Sequence, residues 1–348
     1  MNEIKFTVFA DLHYRKEMYI ASVNDLKSIF DRADTDKSEF VVHLGDMCND
    51  YIGSPELKKA YIENKSNIAV YGIYGNHELE SKDNSMAFVT PLLTNREVIW
   101  GTDDGKLGDG STGYYYFDNR NFRFIMTDTN YSYNPQKDIW EHNTTCSYGP
   151  PSGNTHICAL GPDQLAWLDK VLCDATEKGL HCIVCSHTSF SRMWDSAPES
   201  DKVQALFNKV NSIKQGTVLM AINGHLHTDH IAIKDDVVYF DVNTVRNGVW
   251  LPSVDKHYTN ETFSYTDYDD KGNEIETRDC LISDLWMSPQ TWYFTDPLSA
   301  TITVREDGQI TIEGMETSWI NNVVPPKDCM FPNDPIVSSA TFVPINER

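Results

Sequence analysis

Five short polar clusters stand out because each follows an apolar run: Asp11-Leu12-His13, Gly45-Asp46, Gly75-Asn76-His77-Glu78, Ser186-His187 and Gly224-His225-Leu226-His227. Between them they offer imidazoles at His13, His187, His225 and His227, carboxylates at Asp11 and Asp46, and an amide at Asn76. A mixed nitrogen and oxygen set suits Mn, Fe, Zn, Co or Ni rather than an all-oxygen calcium site. The donors are too many for one ion. Two ions bridged by Asp46 would use them all, and two cations about 3.5–4 Å apart are a recurring device for in-line displacement at phosphorus. Glycines precede Asp46, Asn76 and His225. A strand that turns sharply beneath a metal needs a residue tolerant of positive φ and of close backbone approach.

These side chains can meet only if the chain between them keeps returning to one place. The apolar runs at 4–10, 40–44, 68–74, 182–185 and 217–222 are continuous rather than alternating, the pattern of strands covered on both faces. Helical patterns fill the gaps at 19–33, at 54–65 with its opening Ser54-Pro55, at 161–178 and at 198–214. Asp11 and Asp46 lie 35 residues apart, Asp46 and Asn76 30, and His187 and His225 38. Each interval is about one βα repeat of roughly 30 residues. The clusters are therefore expected along the carboxyl edge of one sheet, where open α/β sheets bind ligands. Hairpin patterns at 114–128, 230–242 and 300–314 add a second sheet or antiparallel edges. The fold class is α/β.

Length and composition narrow the function. A chain of 348 residues with 40% apolar residues can bury a sizeable core as a single domain over 1–348. A net charge of −22, from 51 acidic and 29 basic residues, argues against binding a nucleic-acid duplex. There is no apolar run near the roughly 20 residues of a membrane span, and the opening "MNEIKFTVFADLH" lacks a basic n-region, so a cytoplasmic location is expected. Cys182 and Cys185, three apart on a strand, should point to opposite faces as buried thiols.

Asp-x-His, Gly-Asp, Gly-Asn-His-Glu, a lone His after a strand and Gly-His-x-His, in this order over about residues 4 to 230, resemble the calcineurin-like metallophosphoesterase superfamily. The resemblance implies a two-sheet αββα sandwich in four layers, flanked by helices, with the metal site at the carboxyl ends of the strands. It implies that Asp11, His13, Asp46 and His227 hold one ion, that Asp46, Asn76, His187 and His225 hold the second, and that His77 contacts the phosphate or protonates the leaving group. The implied activity is hydrolysis of a small-molecule phosphomonoester or phosphodiester, by in-line attack of a metal-bridging hydroxide, with two divalent or trivalent transition metals as cofactors. His13 and Asn49 stand where a purple acid phosphatase departs from the Asp-x-His pattern and carries tyrosine, so an Fe–tyrosinate centre is not expected. The stretch "GDMCNDY" lacks the arginine of the phosphoprotein phosphatases. The alternative reading is a phosphoesterase-fold binding module with a weak or inactive centre.

Further roles are considered for other residues. Asp50 could orient His77 as a carboxylate partner. Arg192 and Arg246 could meet a phosphate oxygen, although a surface role is the simpler expectation for both. Residues 129–160 and 243–297 read as long insertions shaping the substrate site. Tyr131, Tyr133, Trp140 and Tyr148 in the first of them could wall that site, although packing of the loop onto the body is favoured. Residues 298–348 are expected as a hairpin and tail packed on the domain.

Overall fold

The computed structural model describes residues 2–49, 54–64, 67–78, 89–101, 112–134, 136–142, 159–191, 197–250, 257–326 and 340–342. Two sheets form the body. The first contains β1 (Glu3–Phe9), β2 (Phe40–His43), β3 (Ala69–Gly72), β17 (Ala300–Arg305), β18 (Ile310–Glu313) and β19 (Ala340–Phe342), in the order β19-β18-β17-β1-β2-β3. The second contains β4 (Ile99–Trp100), β5 (Tyr115–Asn119), β6 (Phe122–Met126), β9 (His181–Ser186), β10 (Val218–Asn223), β11 (His230–Lys234) and β12 (Val237–Asp241), in the order β11-β12-β10-β9-β6-β5-β4. Three two-stranded ribbons complete the described strands: β7 (Tyr131–Asn134) with β8 (Ile139–His142), β13 (Asn247–Trp250) with β16 (Thr291–Tyr293), and β14 (Thr262–Tyr268) with β15 (Glu274–Leu281).

The continuous apolar runs are explained by four layers. Phe6 and Val8 of β1, Val42 of β2, Phe124 of β6, Ile183 of β9, Ile222 of β10 and Phe240 of β12 fill the space between the sheets. Alternate residues face outward. Phe9, Val41 and Val70 pack under α1 (Val23–Thr35) and α2 (Pro55–Ile62), and Ile125, Val184, Ala221 and Tyr239 pack under α3 (Gly161–Lys178) and α4 (Ser200–Ile213). Each fully buried Leu, Ile, Val or Phe contributes about 1.5–3 kcal/mol. Cys182 belongs to the outer layer and Cys185 to the middle one, on opposite faces of β9 as the strand period requires.

Local signals set the helix ends. Ser22 caps α1 by accepting from the Asp25 amide at 3.2 Å, while the Asp25 carboxylate accepts from the Ser22 amide at 2.8 Å. The helix therefore starts later than the expected residue 19. Met18, Tyr19 and Ile20 pack instead against Tyr258, Ile282 and Tyr293. Helix α3 stops where Gly179 turns left-handed, φ 72°, and donates back to Ala175 and Thr176.

The expectation of one ligand-bearing sheet is corrected. β1, β2 and β3 run parallel in the first sheet, whereas β9 and β10 run parallel in the second. An apolar run covered on both faces fits a strand between a second sheet and a helix layer as well as one between two helix layers, so the pattern could not distinguish them. The C-terminal hairpin β17–β18 does more than pack on the domain, because β17 pairs antiparallel with β1 from Glu3↔Arg305 to Val8↔Ala300. Residues 129–160 and 243–297 carry the three ribbons; β15 is exposed along most of its length, which leaves it little apolar periodicity to read. Among the described residues, no helix is long and apolar enough to cross a membrane.

Candidate metal centre

The loops after β1, β2 and β3 carry Asp11, His13, Asp46, Asn76 and His77, and the loops after β9 and β10 carry His187, His225 and His227. The carboxyl ends of both sheets share one rim, so all eight side chains meet there. Asp11, His13 and His227 form one group; His13, Asp46 and His77 a second; Asp46, His187 and His225 a third, with one donor atom from each residue lying within 4.8 Å of the others in its group. Asp46 Oδ2 lies 3.2 Å from His187 Nε2 and 3.7 Å from His13 Nε2, so its carboxylate stands between the two ends of the site. Asn76 Oδ1 is 2.9 Å from His187 Nε2.

The backbone is bent to achieve this. Asp11, His13, Asp46, His225 and His227 all adopt left-handed conformations, with φ of 54°, 49°, 54°, 69° and 49°. Such strain costs about 1–3 kcal/mol per residue and persists only where the surroundings enforce it. Gly45 has φ 94°, and a Cβ on Gly75 would lie 2.2 Å from Asp46 Oδ1. The glycine at 45 is needed for conformation and that at 75 for close approach. Glu78, fully buried, holds the two turns together: Oε2 accepts from the amides of Asp46 at 2.8 Å and Gly75 at 2.5 Å, and Oε1 from that of Met47 at 2.7 Å. Burial and then the Asp46 carboxylate push its pKa up to about 7, against the pull of the backbone donors.

Backbone carbonyls aim the imidazoles. His187 Nδ1 donates to Leu44 O at 2.7 Å and His227 Nδ1 to Asn247 O at 2.7 Å, so both rings present Nε2 to the interior. Asn49 Nδ2 donates to His77 Nδ1 at 3.2 Å, which leaves the proton of the neutral His77 ring on Nε2. Burial opposes charge throughout, yet the His187 ring holds the Asp46 carboxyl well below the usual range, and Asp46 in turn raises His187 to about 10. Burial dominates at His13 and drives its pKa well down, favouring the neutral imidazole that a metal requires.

The residues fit a pair of cations. Asp11 Oδ1 is buried without a hydrogen bond and faces His227 Nε2 at 3.5 Å and His13 Nε2 at 3.9 Å. His13 Nε2 and His227 Nε2 are 3.2 Å apart, a spacing that a shared cation satisfies without a shared proton.

Other sequence expectations fare differently. Asp50, Arg192 and Tyr148 lie outside the described residues. Arg246 pairs with Asp25 at the start of α1, Nε to Oδ1 3.0 Å. Trp140 packs on Gly161, whose Cβ would sit 3.3 Å from its ring, and Tyr131 donates to Thr112 O at 2.7 Å. These two pack the loop onto the body, while Tyr133 is 40% exposed. Sequence reasoning missed Glu78, Asn247 and Thr244, whose hydroxyl donates to Asp11 O at 2.6 Å. The only signal for Glu78 was its place in the Gly-Asn-His-Glu cluster; the other two had none.

The sequence pattern of the calcineurin-like phosphoesterase family matches residues 4–229. Among solved structures, a dimetal phosphatase from Danio rerio has a TM-score of 0.53 at 14% identity, over 91% of this chain and 98% of that one. A Staphylococcus aureus protein assigned as a 5'-nucleotidase gives 0.46 at 14% identity, over 92% of this chain and 54% of that one. No curated protein matches the sequence.

Proposed function

Because the chain belongs to the calcineurin-like phosphoesterase family, whose members carry out metal-dependent phosphoester hydrolysis, we propose that its rim site is a binuclear phosphoesterase centre. In this reading Asp11, His13, Asp46 and His227 hold one cation, and Asp46, Asn76, His187 and His225 hold the other. The observation that carries it is the convergence of all eight nominated side chains from five separate strand ends, with Asp46 between the two groups.

Two transition-metal cations of the Mn, Fe, Zn, Ni or Co class would supply Lewis acidity toward a phosphoryl oxygen and the attacking water, and would offset the repulsion of an anionic substrate by a chain of net charge −22. The protein's own contribution is orientation and proton control. Leu44 O and Asn247 O keep two imidazoles aimed inward, and Glu78 locks the turns that carry Asp46 and Asn76. His77, its Nδ1 satisfied by Asn49, presents the Nε2 proton to a phosphoryl oxygen or to the departing oxygen. The substrate is a small-molecule phosphomonoester or phosphodiester.

Elemental analysis, combined with turnover of p-nitrophenyl and bis-p-nitrophenyl phosphates in Mn²⁺, tests the reading. Two metals per chain and hydrolysis of at least one ester are expected, with both lost in Asp46→Ala. An Asp46→Ala variant that keeps its metal and near wild-type turnover would end the binuclear scheme. A fully metallated wild type that cleaves no ester would favour a binding module.

A further inference from the structure

Gly75 is held through both of its flanking peptides. Glu78 takes its N–H, while its C=O accepts from Asn130 Nδ2 at 3.1 Å. Gly75 belongs to the first sheet's rim, and Asn130 follows β6 in the second. Asn130 is therefore a tie between the sheets, placed on the peptide that joins Gly75 to Asn76.

The tie is itself firmly seated. Asp128 Oδ1 accepts from Asn130 N at 2.9 Å and from Asn130 Nδ2 at 3.0 Å, and Asp128 Oδ2 accepts from His142 Nε2 at 2.7 Å. Gln164 grips the Asp128 backbone on both sides: its Oε1 accepts from Asp128 N at 2.8 Å and its Nε2 donates to Asp128 O at 2.6 Å. Asp128, Asn130 and Gln164 are 0%, 5% and 1% exposed. Gly113, at φ 76°, leaves the room: a Cβ there would lie 2.2 Å from Asp128 Oδ2. Thr129, between the two acceptor-donor residues, meets Thr188 at 3.1 Å, immediately after His187.

We propose that Asn130, backed by the Asp128–His142 pair, is a positioning residue that sets Asn76 of one sheet against His187 of the other and so tunes the cation site they share. The proposal rests on the binuclear reading above. A peptide free to rotate at Gly75 would swing the Asn76 amide away from its 2.9 Å approach to His187. Partners that orient a ligand from behind typically change metal affinity 10–100-fold when lost.

The test is Mn²⁺ titration of the full chain, which needs no turnover. Asn130→Leu, of similar size but without the amide, should weaken one Mn²⁺ about 10–100-fold and leave the other within about twofold. His142→Gln should act in the same direction and less. In the Asn76→Ala background, Asn130→Leu should have little further effect, since groups acting through one another are non-additive. Unchanged affinities in Asn130→Leu, equal weakening of both ions, or full additivity with Asn76→Ala would overturn the assignment. If one ion weakens as expected while the wild type hydrolyses no ester, the tie stands and the hydrolase reading falls.

Discussion

Replacing Glu78 by Gln changes one atom and should loosen the whole rim. The carboxylate accepts three backbone N–H groups in a fully buried setting, two on Oε2 and one on Oε1. The best amide orientation keeps oxygen at the Oε2 position, preserving the Asp46 and Gly75 bonds in weaker, neutral form. The NH₂ then faces the Met47 N–H, donor against donor. Losing one charge-assisted bond costs about 1.5–3 kcal/mol, and the buried unpaired donor adds about 1–3. Removing the charge also relieves the repulsion with Asp46 that, after burial, pushes the Glu78 pKa up to about 7. The net expected loss is about 2–4 kcal/mol, a large share of a typical stability of about 5–15 kcal/mol. Urea unfolding in EDTA at pH 8 measures this without a contribution from bound metal. A Glu78→Gln chain within about 0.5 kcal/mol of wild type would show that the three bonds do not clamp the turns, and the account of the strained rim would have to be rebuilt.

Three further outcomes are expected. His77→Ala should retain both metals and lower kcat by about 10²–10⁴; metal loss in elemental analysis would make it a ligand instead. Gly75→Ala forces a Cβ to within 2.2 Å of Asp46 Oδ1 and 2.4 Å of Asp46 N, so metal content and turnover should fall together, and full retention of both would contradict the close approach. Burial lowers the His43 pKa from 6.5 to about 3, so this ring is neutral when folded but gains a proton below pH 6.5 when unfolded. Its contribution is therefore present above pH 6.5 and lost as the pH falls toward 3, up to about 5 kcal/mol in all. His43→Leu should flatten the metal-free stability curve between pH 6.5 and 4; an unchanged slope would place the acid sensitivity elsewhere.

Much of this protein was legible in the linear chain, because the relevant signals are local. The strand runs at 40–44 and 182–185 match β2 and β9 to within a residue or two, and α3 has the expected bounds. Gly179 ends that helix by its own backbone freedom. The donor chemistry of Asp46, Asn76 and the histidines resides in the side chains themselves, and so needed no contact map. By contrast, the weakly periodic 243–297 stretch hid two strand pairings, β13 with β16 and β14 with β15, since a largely exposed strand such as β15 needs no apolar stripe and β13 meets β16 only across about 40 residues.

The order of polar clusters after apolar runs determined the candidate donors, the α/β class and the strand-end location, since each depends on residue type and short spacing. Tertiary structure alone decided that the candidate donors come from two sheets, that Arg246 turns to Asp25, that Leu44 and Asn247 lend their carbonyls to His187 and His227, and that Asn130 reaches Gly75. Those contacts join residues from 20 to more than 200 positions apart, and the partner in several is a backbone atom every residue possesses. No residue type or period marks such a group in advance; only the packing of one layer on another brings it within reach.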